Sequence, residues 1–189
     1  MADKSYGMLF DSNLCIGCQS CSIACRAENK VPDDVYRLQV RIEGPKGTYP
    51  DLTMDFTRQS CVMCDQAPCV PVCPTGASYT NKVGVNTVDE QKCVGCKYCV
   101  IACPYQARFV NPVTGAADKC TFCYDNRVVK GDKPACVSVC PTGALIFGDL
   151  TDPQSEIRQA MKRHVMRPKE HLGTKPKLIH IPNKRGGGQ

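Results

Sequence analysis

The sequence predicts a small α+β protein built around cysteine loops rather than around an ordinary apolar core. Three observations carry that expectation. Sixteen of the 189 residues are cysteine. They fall into four tetrads of related spacing, and the stretches between them read as short hairpins with little helical periodicity.

The first tetrad is Cys15-x2-Cys18-x2-Cys21-x3-Cys25, and the third repeats it as Cys93-x2-Cys96-x2-Cys99-x3-Cys103-Pro104. The second is Cys61-x2-Cys64-x4-Cys69-x3-Cys73-Pro74, and the fourth is Cys120-x2-Cys123-x12-Cys136-x3-Cys140-Pro141. Three roles for so much sulfur compete. A disulfide framework suits a short secreted chain, but bridges impose no CxxCxxCxxxCP repeat. Zinc sites usually show two CxxC pairs separated by a longer loop. Here two tetrads pack three cysteines into seven residues, with a fourth cysteine four residues on. That compactness suits a cube whose iron corners each take one thiolate. The sixteen cysteines therefore predict four [4Fe–4S] clusters with no ligand missing and none spare. In the two-cluster pattern, three cysteines of a tetrad hold one cluster and the fourth crosses to another. Spacing leaves the partners open: first with second and third with fourth, or first with fourth and second with third.

The elements follow in order. Each repeat reads as a cysteine loop, a helical turn and a strand, and Cys73-Pro-Thr-Gly-Ala77 recurs as Cys140-Pro-Thr-Gly-Ala144. Asp11-x3-Cys15 likewise matches Asp89-x3-Cys93. Proline after the last cysteine redirects the chain, because its ring fixes φ and it has no N–H to donate. Tyr36–Ile42 and Leu52–Phe56 predict a hairpin turning at Gly44-Pro-Lys-Gly47. Ala77–Tyr79 and Val85–Val88 flank a turn at Asn81-Lys-Val-Gly84. Arg108–Asn111 predicts a strand before Pro112-Val-Thr-Gly115, and Ala144–Phe147 predicts one closing the cysteine-rich body. The one strong helix signal lies at Asp152–Met166, with Pro153 near its start. Lys175–Ile181 predicts a strand packed on a neighbour, and Arg185–Gln189 predicts disorder.

Charge excludes some functions. The formal net charge is +6, yet residues 154–189 hold nine Lys/Arg against two Asp/Glu, leaving the body slightly acidic. Four oxidised clusters with their thiolates would subtract about 8 charges, so the loaded chain is close to neutral. A basic face with a recognition motif, as nucleic-acid binding needs, is not apparent. The basic tail reads as a docking or solvating segment. No run approaches the length of a transmembrane helix, so membrane attachment is expected through a partner. The N-terminus shows neither an apolar signal segment nor twin arginines. No nucleophile–base constellation or nucleotide-binding glycine fingerprint is present, so no catalytic residue is expected.

The tetrads, the x12 interval and several runs resemble one family. The runs are Pro68-Cys-Val-Pro-Val-Cys-Pro-Thr-Gly-Ala-Ser-Tyr79, Ala117-Asp-Lys-Cys-Thr-Phe-Cys123, Pro134-Ala-Cys-Val-Ser-Val-Cys-Pro-Thr-Gly143, Phe147-Gly-Asp-Leu-Thr-Asp-Pro153 and Arg167-Pro…Gly173-Thr-Lys-Pro-Lys-Leu178. They look like the four-cluster electron-transfer (B) subunit of molybdopterin oxidoreductases in the dimethyl sulfoxide reductase family, and most like polysulfide and thiosulfate reductase subunits. The resemblance implies nested pairing. Cys15, Cys18, Cys21 and Cys140 would hold one cluster, and Cys25, Cys120, Cys123 and Cys136 its neighbour. Cys61, Cys64, Cys69 and Cys103 would hold a third, and Cys73, Cys93, Cys96 and Cys99 the fourth. It also implies two ferredoxin-like modules, an outer one (1–59 with 115–150) and an inserted one (60–114), followed by a basic helix and tail (151–189) for partner docking.

The same resemblance implies a non-catalytic subunit relaying electrons from a membrane quinol-oxidising partner to a molybdopterin catalytic subunit that reduces polysulfide or thiosulfate. It implies a place at the periplasmic face of the membrane, the catalytic partner carrying the export signal; the cytoplasm is the alternative. Other complexes (formate dehydrogenase, hydrogenase, dimethyl sulfoxide reductase) or a free-standing polyferredoxin would use the same clusters. A zinc-binding module is the remaining contrast. Among neighbours of the ligands, Lys97 and Lys119 are candidates for tuning cluster potentials, against the plainer reading of surface lysine. Tyr98, Tyr105, Phe109, Phe122 and Tyr124 are expected to pack against clusters, and Arg26, His164, His171 and His180 to be surface groups.

Overall fold

A computed structural model describes residues 4–184. The disorder expected at Arg185–Gln189 lies outside the described residues. The framework is a three-stranded sheet with β1 (Tyr6–Asp11) in the centre, antiparallel to β8 (Leu145–Asp149) and parallel to β9 (Leu178–Ile181). Met8 faces Phe147 on one side and Leu178 on the other. Side chains alternate across a strand, so β1 feeds two cores. Leu9 packs with Ile157, Ile179 and Ile181 beneath helix α4 (Glu156–Ala160). Met8 and Phe10 point the other way, with Leu145, Phe147 and Leu178, into a core that contains most of the buried cysteines.

The cysteine loops carry α1 (Ser20–Asn29), α2 (Tyr98–Ile101) and α3 (Ala135–Ser138). Small hairpins support them. β4 (Ser78–Thr80) pairs with β5 (Asn86–Val88), and β6 (Phe109–Val110) pairs with β7 (Ala117–Asp118). Asn81 and Asn111 close these turns, their Oδ1 atoms accepting from the N–H of Val85 at 2.8 Å and of Val113 at 2.9 Å.

Two expectations need correction, and a third is met. The long hairpin is β2 (Leu38–Thr48) against β3 (Asp51–Ser60), and the chain reverses at Tyr49-Pro50 rather than at Gly44–Gly47. Pairing survives through the glycine-proline stretch because the register slips between Glu43 and Lys46, a bulge in place of a turn. The helix expected over Asp152–Met166 is only five residues long. Asp152 accepts the Gln154 N–H at 2.8 Å, which holds Pro153 in a turn, and Ser155 then caps the helix. The longest helix is instead α1, ten residues with a weak sequence signal, pinned by the loop in which it sits. Finally, the strand near the C-terminus pairs with β1 of its own chain, and residues 174–181 are largely buried. The Lys177 N–H donates to the Val62 carbonyl at 3.0 Å, and Cys64 bridges Pro176, so the segment straps the second cysteine loop to the sheet.

Candidate metal centres

The first CxxC of each of the four tetrads shares one backbone device. The residue before the second cysteine is left-handed in each: Gly17 at φ 68°, Met63 at 50°, Gly95 at 67° and Phe122 at 58°. That kink turns the loop so that its two cysteines face the same hollow. Glycine adopts it freely, and at Gly17 a Cβ would also lie 2.6 Å from the Phe56 ring. Met63 and Phe122 take the same conformation against their preference and are fully buried. Neither is signalled by residue type, since both look like ordinary apolar residues. Gln19 and Lys97, left-handed in turn, start α1 and α2, which bring Cys21 and Cys99 round.

These loops gather the sixteen cysteines into four quartets. Cys15, Cys18, Cys21 and Cys140 line one hollow. Cys25, Cys120, Cys123 and Cys136 line a second, and Cys73, Cys93, Cys96 and Cys99 another. Cys61, Cys64, Cys69 and Cys103 are mutual electrostatic neighbours. In each quartet, sequence distance is bridged by packing: α1 lies on α3, which brings the end of the first tetrad to the fourth. We number the quartets first (Cys15), second (Cys25), third (Cys61) and fourth (Cys73). They run in that order: Cys21 acts on Cys136, Cys61 acts on Cys120, and Cys69 packs with Cys99.

None of the sixteen cysteines is in a disulfide, and the electrostatics divide them. Burial, with the crowding of its three partners, pushes the Cys25 thiol far up. Burial likewise pushes Cys64 and Cys136 up to about 12. In the end quartets burial still raises Cys15 and Cys21, but one cysteine at each end runs the other way. Cys18 is exposed, and hydrogen bonding with Ser20 lowers it. At Cys73 slight burial is outweighed by the Ser78 N–H at 3.4 Å and the Thr75 hydroxyl, so it too is lowered. Other donors aim at sulfur: the Ala117 N–H at Cys93 (3.3 Å), the Phe122 N–H at Cys120 (3.5 Å), and Asn29 Nδ2 at both Cys25 and Cys123 (3.7 Å each).

Four features fit an iron–sulfur group. Zinc draws four sulfurs to about 2.3 Å from one point, whereas the quartets surround hollows. Among the described residues, no three Cys, His, Asp or Glu side chains converge where they would hold one metal ion. N–H donors point at the sulfurs, as an anionic cluster requires. Buried guanidinium groups of Arg58 and Arg108 stand beside the quartets with nitrogens that have no hydrogen-bond partner among the described residues.

Comparison with known proteins agrees. Two 4Fe–4S dicluster domain families match, one over residues 52–150 and the other over residues 14–77. The B subunit of polysulfide reductase from Wolinella succinogenes is 61% identical over 187 residues, 97% of this protein and 97% of the relative. Protein NrfC of Escherichia coli is 52% identical over 96% of this chain and 82% of its own length. The thiosulfate reductase electron transfer subunit of Salmonella typhi is 52% identical over 82% of this chain and 81% of its own. The chain belongs to the iron–sulfur subunits of this reductase family. It is therefore a non-catalytic electron-transfer subunit carrying [4Fe–4S] clusters in ferredoxin-like dicluster domains of α+β architecture.

The flanking residues divide. Lys97 is exposed, the plain reading, whereas Lys119 is buried. Phe122 is buried edge-on to Phe147 at 5.5 Å, and Tyr124 packs on Tyr6. The Tyr105 hydroxyl meets the Pro168 carbonyl at 3.2 Å, Phe109 is half-buried in β6, and Tyr98 is exposed. Arg26 is not a free surface charge: it lies over the Tyr36 ring at 5.2 Å and bonds the Pro32 carbonyl and Asp33. His164 and His171 are exposed as expected, but His180 packs against Phe10 with its Nε2 buried. Sequence reading missed Arg58 and Arg108 because neither sits within a cysteine motif.

Proposed function

We propose that this chain relays single electrons, through four [4Fe–4S] clusters, between a membrane quinol-oxidising subunit and a molybdopterin catalytic subunit reducing polysulfide or thiosulfate. The four quartets are the proposed ligand sets: Cys15, Cys18, Cys21 and Cys140; Cys25, Cys120, Cys123 and Cys136; Cys61, Cys64, Cys69 and Cys103; Cys73, Cys93, Cys96 and Cys99. The observation that carries this reading is the row itself. Its inner quartets are mostly buried, while each end carries an exposed cysteine, Cys18 at one and Cys96 at the other. Exposed apolar residues surround both ends, Ile16 and Ile23 beside Cys18, Val94 and Ile101 beside Cys96. A wire needs that arrangement: insulation within, contact at the ends.

The clusters, when bound, supply the one-electron chemistry. The chain spaces them, keeps water from the inner quartets and directs N–H donors at their sulfurs. The nested arrangement, with residues 60–114 as an inserted module, is supported by β1 pairing with β8 and by α1 packing on α3 across the intervening chain. Two surfaces suit stable partners: the hairpin arm, with Ile42, Tyr49, Leu52 and Met54 exposed, and the basic exposed residues Lys162, Arg163 and Lys169 of segment 151–189. The names of the polysulfide and thiosulfate reductase relatives support the sulfur substrate. No helix among the described residues is long and apolar enough to cross a membrane. The proposal gives the quinol-oxidising step to a membrane partner and places the chain at the periplasmic face.

Anaerobic isolation of the native complex, with identification of the companion chains, tests this reading. A molybdopterin subunit and an integral membrane subunit, with quinol-driven reduction of polysulfide or thiosulfate, are expected. A formate- or hydrogen-oxidising companion would overturn the sulfur assignment.

A further inference from the structure

Burying a cation without an anion is among the costlier things a fold can do, and this chain does it three times. Arg58, on β3, is 3% exposed and lines both the first and the second hollow. Its Nη1 touches only the Met8 thioether, and its Nε and Nη2 have no hydrogen-bond partner among the described residues. Arg108 is 4% exposed and gives Nη2 to the Ser78 hydroxyl at 2.8 Å, while its Nε and Nη1 are unpartnered among the described residues. Its electrostatic neighbours are Cys69 and Cys61 of the third quartet and Cys99 of the fourth. Lys119 is 1% exposed, its Nζ held by the carbonyls of Asn86 and Cys120. Burial and the like charge of Arg108 lower its ammonium, while Cys61 and Cys69 of the third quartet and Cys120 of the second, between which it stands, raise it. Among the described residues, none of the three forms an ion pair with a carboxylate, although nine such pairs exist elsewhere in the chain.

The placement follows a rule. Four quartets in a row have three junctions, and each junction holds one buried cation. We propose that Arg58, Lys119 and Arg108 form a second row interleaved with the clusters, each raising the reduction potentials of the two clusters it separates. This rests on the four-cluster reading above. The physics is direct. Reduction adds a negative charge to a cluster, and a fixed cation in a water-poor interior stabilises that charge more than the oxidised state. A cation at a junction also screens each cluster from its neighbour. Without it, an electron on one cluster would oppose arrival of a second on the next. The unused guanidinium N–H groups have the remaining lone pairs of cluster sulfur as their natural acceptors.

The test is a potentiometric titration followed by electron paramagnetic resonance on the anaerobically purified complex, comparing wild type with Arg58→Met, Arg58→Lys, Lys119→Met and Arg108→Met. Arg58→Met should lower the reduced-to-oxidised ratio of the first and second clusters about tenfold at a fixed potential, equivalent to about 59 mV for a one-electron couple. The third and fourth should move little. Arg108→Met should move the third and fourth instead, and Lys119→Met the middle pair. Arg58→Lys, which keeps the charge, should restore most of the wild-type value. Shifts spread equally over all four clusters, or no shift in a fully loaded variant, would overturn the junction assignment. If Arg58→Met fails to load its clusters, Arg58→Lys decides: loading restored supports a charge role, and loading still lost overturns it. Wild type with fewer than four cluster signals would instead refute the four-cluster reading, so the two failures are distinct.

Discussion

The crossing of Cys25 is the sharpest single consequence of the proposed ligand sets. It lies only four residues after Cys21, yet packing places it with Cys120, Cys123 and Cys136, on the far side of Arg58 from Cys21's hollow. If the quartet is a ligand set, removing any member should cost the same cluster. Cys25→Ser should take the chain from about sixteen iron atoms to about twelve. The second loss in a double variant then reports which cysteines share a cluster. Cys25→Ser with Cys120→Ser should lose no more than about four irons, whereas Cys25→Ser with Cys18→Ser should lose about eight. Emptying the second hollow also removes the anion facing one side of Arg58, and stranding a buried charge costs about 3–5 kcal/mol. Iron and acid-labile sulfide per chain, with denaturant titration of each anaerobic preparation, measure both effects. Near-additive loss for Cys25 with Cys120, and non-additive loss for Cys25 with Cys18, would refute the nested assignment.

Other perturbations have calculable outcomes. Phe122→Gly relieves a left-handed backbone worth about 1 kcal/mol but deletes a fully buried ring worth about 3–5 kcal/mol; holo-protein should lose about 2–4 kcal/mol in urea. A neutral or stabilised variant would show that the buried Phe122 ring contributes little to the packing. Leu178→Ala, on the buried strand beside β1, should cost about 2–5 kcal/mol, whereas an exposed tail would tolerate it. Burial, reinforced by Arg58, holds His180 down at about 4. The unfolded chain therefore binds that proton at higher pH than the folded one, so stability is complete above about pH 6.5 and falls toward pH 4. Between pH 7.5 and 5.5 the wild type should lose about 1 kcal/mol more than His180→Gln, and equal losses would place His180 in solvent.

Legibility from sequence followed the range of the interactions. The tetrads, the Asn81 turn with the strands on either side of it, and the strand before Pro112 depend on neighbours a few residues away, and they stand where the motifs put them. Gly44-Pro-Lys-Gly47 misled because its residues suit a turn, while cross-strand pairing from Asp51–Ser60 carried the strand through as a bulge. Helix α1 was invisible because its start is set by the left-handed Gln19 and its neighbourhood by α3, not by its own amphipathicity. Arg58 and Arg108 could not be read at all. A buried arginine between strands looks like any surface arginine until tertiary packing closes over it. Lys119 was singled out through its place beside Cys120, and its burial distinguishes it from Lys97.

The central claim is that this one polypeptide carries four iron–sulfur cubes. Quantitative iron and acid-labile sulfide analysis of anaerobically purified protein tests it most directly. About sixteen atoms of each per chain are predicted. About eight of each, stoichiometric zinc, or cystine bridges among the sixteen cysteines would contradict it.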